Sequence, residues 1–495
     1  MREKLFSLMR LILKPQSHSL KLQSIRAALW SLLEKGSSHA LRMMGSLILT
    51  RILFPEAFGI MAAAQTIILM IQLFTDTGVK TAIIQNPKGA DRDFLDSVFL
   101  ISTVRGLFLS LVVAGIAWPM AVYYQQPQLT GILIILAINP FILGFESPGL
   151  TVLIKQFRVE KKVALELGSQ ILGLLTSIVL AYIYRSVYAL AVGSVLSSLY
   201  RVAGSFMVSP YPPRFRWNRE IATEIFHFGK FIMLNTMVSF TAMNADVLIT
   251  GKVLNMDNLG IYNIGRTMGL LIWVVCLQVF LQSYLPAVSS VLNDFSRVVK
   301  IYRTTTSFIL ALTIPVSMIF ALFSEDIIGI LYDPRYREAS VSMFWFSISG
   351  ILLVLNAINS STFIAMGKLK YETISTGICL TCVCLLIPLG ARDYGLAGAA
   401  VGMLISISVM VAVQTVFLVT GAGFPVLKVV RPWFQIIALS GTIGLMYFVL
   451  RPLLSSETLY NLPFLAVMST IAFAASTGLS ILWNGPRRTR EQPAS

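Results

Sequence analysis

The sequence predicts an all-α protein that crosses a membrane about fourteen times, with two similar six-helix halves and a C-terminal helix pair. Three observations predict this fold class: few charged residues, many long apolar segments, and an internal repeat. Charged residues make up 13% of the 495 residues, the set AVILMFWYC makes up 56%, and the mean hydropathy is +0.76. Soluble domains average roughly 25% charged residues. Lipid is therefore expected to cover most of the surface, which excludes a cytoplasmic enzyme, a disordered chain and a disulfide-built secreted domain.

A helix needs about 20 mostly apolar residues to cross the hydrocarbon layer of a bilayer. Fourteen segments meet this requirement, and the connections between them are too short for a folded domain outside the membrane. The predicted spans are 27–52, 58–79, 95–121, 129–151, 164–184, 187–208, 228–250, 258–285, 300–323, 339–366, 371–391, 395–420, 433–450 and 460–483.

The spans and the polar segments between them divide the chain into five regions. The first is a basic amphipathic segment suited to the surface of a membrane, and the third is a basic linker suited to anionic headgroups. The predicted regions are 1–26 (amphipathic segment), 27–208 (first six-helix lobe), 209–227 (cytoplasmic interfacial linker), 228–420 (second six-helix lobe) and 421–495 (two further spans and a basic tail).

The positions of Lys and Arg predict the orientation. Counted with the N-terminus in the cytoplasm, the inner loops and both tails carry 26 of these residues and the outer loops carry seven. This excess of basic residues on one side is the rule for cytoplasmic loops. We therefore predict a multi-pass membrane protein with both termini in the cytoplasm. The same distribution accounts for most of the net charge of +16, so no nucleic-acid partner is needed to explain it.

The chain repeats itself at an offset of 201 residues. Residues 51–60 read RILFPEAFGI and residues 252–261 read KVLNMDNLGI, and both segments join two predicted spans on the outer side. Six spans separate the copies, so the two halves have the same orientation, as in transporters built from parallel repeats. A generic outer turn ending in glycine is the alternative interpretation. The repeat predicts two lobes with a cleft between them.

These segments resemble the polysaccharide-transport branch of the multidrug/oligosaccharidyl-lipid/polysaccharide (MOP) exporter superfamily. The resemblance lies in the repeated turn, in Asp76-Thr-Gly78 before Ile83-Ile84-Gln85, and in residues 283–287 (SYLPA) before Asn293-Asp294. The resemblance covers about residues 20–420, and within the branch the chain is most similar to flippases of the Wzx type. It implies a MATE-like fold and the translocation of undecaprenyl-diphosphate-linked oligosaccharide units across the inner membrane for exopolysaccharide, capsule or O-antigen synthesis. The first span departs from the family pattern because it carries more charge.

Three arginines lie deep in predicted spans. Arg42, Arg105 and Arg266 are roughly 14, 15 and 12 Å from the nearer surface at 1.5 Å per helical residue, and charge at such depth is costly and often functional. Because guanidinium groups match phosphate oxygens, we predict that these arginines, together with Lys35, line a cationic cavity for the diphosphate. Internal pairing with acidic residues is the alternative. The shallower Arg201 and Lys230 are interpreted as anchors at the membrane surface.

The first predicted span has a polar face, with Glu34, Ser38 and Arg42 at helical spacing. Such a face must contact protein or water. Glu34 is therefore a candidate for coupling transport to H⁺ or Na⁺, or else a partner for Lys35 or for an arginine on another helix. Glu146, between two prolines, and Asp76, near the end of a span, are the other coupling candidates. For Asp76 the alternative is a role in capping and turn formation.

No nucleophile triad, metal cluster or glycine-rich phosphate loop occurs in the sequence, so we predict no catalytic residues, no metal, no cofactor and no enzyme activity. The expected partners are the lipid-linked oligosaccharide and membrane lipids, with a polysaccharide polymerase and a chain-length regulator as further candidates, and the expected state is a monomer.

Two alternative functions are a cation-coupled multidrug exporter of the same superfamily and a membrane polysaccharide polymerase. The excess of deep arginines disfavours the exporter, and the short outer loops disfavour the polymerase.

Overall fold

A computed structural model of the chain describes residues 20–74, 79–209, 211, 214–276 and 282–450. These residues form α-helices joined by short connections, with one 3₁₀ turn at Pro334–Tyr336. The helices are α1 (Leu20–Ile52), α2 (Pro55–Phe74), α3 (Val79–Gln85), α4 (Arg92–Tyr124), α5 (Gln128–Gly144), α6 (Gly149–Lys155), α7 (Val159–Tyr184), α8 (Tyr188–Val208), α9 (Arg219–Val253), α10 (Met256–Gly269), α11 (Leu271–Cys276), α12 (Gln282–Ser289), α13 (Phe295–Leu322), α14 (Ser324–Leu331), α15 (Ala339–Ala365), α16 (Leu369–Thr420) and α17 (Val426–Leu450).

The all-helical membrane fold is confirmed. Eight of the described helices are long and apolar enough to cross a membrane, and nine if α5 and α6 together form one broken span. The protein is thus a multi-pass membrane protein. The count of fourteen stays a prediction, and both the last predicted span, 460–483, and the N-terminal segment 1–19 lie outside the described residues.

Two predicted spans differ from simple straight helices. The predicted span 129–151 is bent by 62° between α5 and α6, around residues 145–148 where Pro148 precedes the first turn of α6. The predicted spans 371–391 and 395–420 run together as α16, with a sharp turn at Gly395, whose φ is +59°. Glycine adopts this left-handed conformation without the steric cost that a side chain would add, so the chain can reverse there without a separate loop.

The chain divides into two compact units, one ending at Asn263 and the other beginning at Ile264. In the first unit α4 packs closely on α5 and α7 packs on α8, with small residues at both crossings. A Cβ atom at Gly106 would lie 2.4 Å from the carbonyl oxygen of Pro140, and one at Gly193 would lie 1.9 Å from the Ser177 hydroxyl. Small residues at helix crossings let backbones approach, which is how helices associate inside membranes.

The second unit has an apolar core formed by α13, α15, α16 and α17. Tyr302 and Phe363 are fully buried in this core. The helix α17, predicted as the first of an appended pair, contributes Leu439 and Ile443 to it, and its Gln435 amide donates to the Ser307 carbonyl oxygen at 3.0 Å. The α17 helix is therefore an integral part of the second unit.

The two copies of the sequence repeat contact each other within the first unit. A Cβ atom at Gly59 would lie 1.8 Å from the Met256 carbonyl oxygen, and one at Gly260 would lie 2.0 Å from the Pro55 carbonyl oxygen. Gly59 and Gly260 are equivalent positions of the repeat, as are Pro55 and Met256. The contact is thus reciprocal, as expected of two segments related by a local two-fold axis. This geometry supports a true repeat over a generic turn.

We expect Gly59→Ala and Gly260→Ala each to destabilise the protein by about 1–3 kcal/mol, because the new methyl group would overlap backbone atoms that cannot rotate away. Since both substitutions open the same contact, their combined effect should be smaller than the sum of the two. The midpoint of thermal unfolding in detergent measures this. Gly115→Ala is the matched control, because a Cβ atom there meets nothing within 4 Å. Equal midpoints for all three variants would contradict the reciprocal contact.

Candidate functional site

The first unit contains a cavity of about 580 Å³. Its wall is formed by α2, α3, α4, α5 and the bend between α5 and α6, with one residue each from α6, α8 and α9. Apolar residues line most of it, and the charged side chains on its wall are Arg105, Glu146 and Arg201. A mostly apolar pocket with a few converging polar groups is the usual form of a ligand site.

Arg105 lies midway along α4 and reaches the cavity where α4 and α5 cross. Its neighbour Gly106 allows the close approach of α5, and this approach places Arg105 beside the bend between α5 and α6. The Nη2 atom of Arg105 donates to the main-chain carbonyl oxygen of Gln72 at 2.8 Å. This bond fixes one side of the guanidinium group on the cavity wall.

Arg201 joins two carboxylates across the helices around the cavity. Its Nε atom lies 2.6 Å from Glu146 Oε1, and its Nη2 atom lies 3.1 Å from Glu166 Oε1. These three side chains come from α8, from the bend between α5 and α6, and from α7. All three are more than two-thirds buried, so the ion pairs are shielded from water, where they would be weak.

The ion pairs continue from Glu166 to the polar face of α1. Lys162 Nζ lies 3.2 Å from Glu166 Oε2 and 3.0 Å from Glu34 Oε1. One turn further along α1, the Ser38 hydroxyl donates to Gln170 Oε1 at 2.8 Å. The polar face of α1 thus lies against α7. This agrees with the prediction that the face contacts protein or water. Glu34 does pair with another helix, but its partner is Lys162 rather than Lys35 or an arginine.

The side chains that link α1, α7, α8 and the α5–α6 bend form one charged cluster: Glu34, Glu146, Glu166, Lys162 and Arg201. In the described part of the chain it holds three carboxylates and two cationic groups. The carboxyl groups outnumber the cations by one, and Lys162 and Arg201 each pair with two of them.

The structure does not bring all the predicted cationic residues to this cavity. Arg42 is exposed and donates to His39 Nδ1 at 3.0 Å, and Lys35 is also exposed. Neither lines the cavity. Arg266 belongs to the second unit, where its guanidinium carbon lies 5.9 Å from the centroid of the Phe346 ring. Asp76 lies outside the described residues. The functional roles of all these residues stay predictions.

The interpretation of Arg201 as a surface anchor was wrong, because its guanidinium group binds two carboxylates on the cavity wall rather than reaching for headgroups. Lys162 and Glu166 were also missed as site residues. One signal for them was present in the sequence: they are four residues apart, which places them on the same face of a helix, at the start of an otherwise apolar span.

A second set of polar contacts fixes the segment after α8. The Tyr211 hydroxyl donates to Asp96 Oδ1, and the main-chain N–H of Arg214 donates to the same oxygen at 3.1 Å. Burial and this bond to Asp96 raise the pKa of Tyr211 above its ordinary value. Arg216 pairs with Asp93 at 2.7 Å. The predicted linker thus begins with a stretch that binds the first turns of α4.

The long apolar helices and a largely apolar cavity with charged side chains on its wall indicate a polytopic membrane transporter. The chain belongs to the polysaccharide biosynthesis protein family, whose model matches residues 48–341. It is 24% identical over 315 residues to the succinoglycan biosynthesis transport protein ExoT of Rhizobium meliloti, a match that covers 63% of each chain. The aligned region is therefore slightly less than two thirds of that relative's length.

Solved structures with the same fold agree with this assignment. The lipid II flippase MurJ in an inward closed conformation superposes with a TM-score of 0.74 at 12% identity and covers 92% of this chain and 99% of that one. An inward-facing multidrug resistance MATE transporter of the MOP superfamily gives 0.58 at 16% identity, covering 79% and 97%. At such identities the likeness concerns the fold alone. The likeness confirms the predicted MATE-like fold, and the family match places the chain among polysaccharide biosynthesis proteins, as the resemblance implied.

We expect Arg201→Ala to destabilise the protein by on the order of 3 kcal/mol, because it leaves buried carboxylates without their cation. Adding Glu166→Gln should restore part of the loss, since the amide removes one of the unpaired charges. Thermal unfolding in detergent measures both effects.

Lys162→Ala should likewise lower the unfolding midpoint, whereas Lys161→Ala provides the control, because Lys161 is exposed on the same helix. If Arg201→Ala and Lys161→Ala unfold at the same temperature, the cluster contributes nothing to stability.

Proposed function

We propose that this protein is a flippase that moves undecaprenyl-diphosphate-linked oligosaccharide units across the bacterial inner membrane for polysaccharide synthesis. The observation that carries the proposal is a deep guanidinium group, Arg105, on the wall of a cavity in a protein of the polysaccharide biosynthesis family. The name of the relative ExoT refers to succinoglycan transport, and MurJ is named a lipid II flippase. Both names support a lipid-linked saccharide as the class of cargo.

In this proposal the cationic side chains bind the diphosphate while the prenyl tail stays in lipid. Arg105 presents its guanidinium N–H groups from the cavity wall, and a diphosphate offers the oxygen acceptors that suit this fork. Arg42, Lys35 and Arg266 are proposed to contact the headgroup at other stages of its passage. A guanidinium group in a site of low polarity attracts phosphate far more strongly than one in water, so few such residues are sufficient.

The proposed movement is alternating access driven by one repeat moving against the other. The reciprocal contact of Gly59 and Gly260 joins the predicted outer ends of α2 and α10. Close by, the Tyr124 hydroxyl donates to the Leu248 carbonyl oxygen at 3.1 Å, and Lys252 Nζ donates to the Tyr123 carbonyl oxygen. These contacts support a state that is closed on the outer side. Release of cargo would require them to separate.

The coupling candidates are Glu34, Glu146 and Asp76. The charged cluster supports Glu34, because uptake or loss of a proton there would change the charge balance of the ion pairs that hold α1 against α7. We further propose an inner-membrane location, cytoplasmic termini, a monomeric state and no enzymatic activity. A polysaccharide polymerase and a chain-length regulator are proposed to act on the delivered units.

Replacing Arg105 by Ala is expected to reduce export of polymer by at least about tenfold, because loss of one hydrogen bond to a charged group costs about 1.5–3 kcal/mol. Export is measured as extracellular polysaccharide from a deletion strain of the source bacterium that carries the variant gene. Arg105→Lys should retain more function, since it keeps the charge and loses the fork. Arg92→Ala is the control, because Arg92 lies exposed at the start of the same helix.

Membrane levels of each variant must match the wild type for this comparison to hold. Normal export by Arg105→Ala would remove Arg105 from the cargo site. The multidrug-exporter alternative predicts another result: the deletion strain would export polymer normally and would accumulate a cationic dye such as ethidium.

A further inference from the structure

The second unit contains a buried polar cluster that the proposed cargo cavity does not use. Glu372 lies in the first turn of α16 and is only 7% exposed. Around it lie polar side chains from the last turns of α15 and from both ends of α16. The members of this Glu372 cluster are Glu372, Asn356, Asn359, Ser360, Thr376 and Gln414.

Gln414 is the centre of the cluster. It is completely buried, and its Nε2 atom donates to Glu372 Oε2 at 3.0 Å and to Asn356 Oδ1 at 2.8 Å. The same atom lies 3.4 Å from the Ser360 hydroxyl oxygen, so its two N–H groups serve three acceptors. Its Oε1 atom accepts from Asn359 Nδ2 at 3.4 Å. Gln414 therefore ties the beginning of α16 to its far end and to α15.

The partners of the Glu372 carboxyl group are neutral. Besides Gln414, the Thr376 hydroxyl lies 3.5 Å from Oε1. Thr376 also bonds to the Glu372 main-chain carbonyl oxygen at 2.9 Å, so its single hydrogen is shared at best. None of the ion pairs formed among the described residues includes Glu372.

The charged and titratable groups nearby are engaged elsewhere. On the same helix, Lys368 Nζ donates to the Gly421 carbonyl oxygen at 2.6 Å, and Lys370 Nζ lies 5.8 Å from the centroid of the Tyr371 ring. From α13, the Tyr302 hydroxyl donates to Asn359 Oδ1 at 2.9 Å. From α12, the Tyr284 hydroxyl pairs with Thr362 at 2.7 Å.

We infer that the Glu372 cluster is a binding site for one monovalent cation, either a proton or a sodium ion. An ionised carboxylate buried among neutral groups is costly and needs a compensating positive charge. A proton on Glu372 would remove the charge. A sodium ion would do the same, and the cluster supplies the oxygen ligands that hard cations take: carboxylate, amide and hydroxyl oxygens.

The site joins the end of α15 to both ends of α16, so its occupancy affects helix packing. Without the cation, the negative charge would favour separation of these segments and entry of water. Any coupling of this step to cargo movement rests on the proposed function, but the binding itself does not. The experiment therefore measures binding by stability and makes no use of transport.

The experiment is thermal unfolding of the full chain in detergent at constant ionic strength, with choline replacing sodium. Wild-type protein in choline should lose stability as the pH rises, because the folded state then holds an uncompensated buried charge while the unfolded state exposes it to water. Glu372→Gln should lose most of this dependence, since an amide stays neutral. Glu325→Gln is the matched control, because Glu325 is exposed in the same unit and should behave as wild type.

Addition of sodium at high pH identifies the cation. Recovery of stability in the wild type but not in Glu372→Gln assigns sodium, whereas no recovery assigns the proton alone, and both results support the site. The same dependence on pH and sodium in wild type and Glu372→Gln would overturn it.

A second measurement needs no variant. A hydrophobic carbodiimide reacts with protonated buried carboxyl groups, and peptide mass spectrometry locates the adduct. Labelling of Glu372 that declines at high pH or in sodium is the expected result. Absence of labelling under every condition, together with an unaltered Glu372→Gln profile, would refute the proposal.

Discussion

Pairing between acidic and basic side chains on different helices is the interaction on which the polar part of the first unit depends. An unpaired charge inside a membrane protein is costly, and α1 carries too many polar residues to face lipid. The structure meets this constraint by placing Glu34 and Ser38 against α7. Because Glu166 and Arg201 extend the pairing to the α5–α6 bend, the helix that departs most from the family pattern is fixed to the wall of the cavity.

Where no charged pair joins two helices, close backbone contacts at glycine residues hold them together. Gly106 sets the crossing of α4 and α5 that brings Arg105 to the cavity, and Gly59 and Gly260 join the two copies of the repeat. In lipid the hydrophobic effect contributes little to helix association, so close packing must supply the attraction. Glycines, which have no side chain, thus determine where Arg105 lies and where the predicted outer ends of α2 and α10 meet.

Most of the fold could be predicted from the sequence, because the hydropathy of a span depends only on its own residues. The predicted spans 339–366 and 187–208 match α15 and α8 within a residue. The site was harder to predict because its partners are distant along the chain: Lys162 and Glu34 are 128 residues apart, and Arg201 and Glu146 are 55 apart. Depth along a span selected Arg105, which lies on the cavity wall, but it gave the wrong interpretation for Arg201, since depth does not reveal which helix lies opposite.

The buried carboxyl groups of the two units have different partners, and this affects how helix packing depends on the solution. In the first unit the carboxylates share Lys162 and Arg201, so their charge is largely balanced by groups that belong to the protein. In the second unit the side-chain partners of Glu372 among the described residues are an amide and a hydroxyl, so in the proposed site a cation from solution balances its charge. A charge balanced by a fixed side chain holds helices together under all conditions, whereas a charge balanced by an exchangeable ion makes the packing depend on that ion. The proposal therefore makes the second unit the more sensitive of the two to ion gradients, although the first unit has more charged residues.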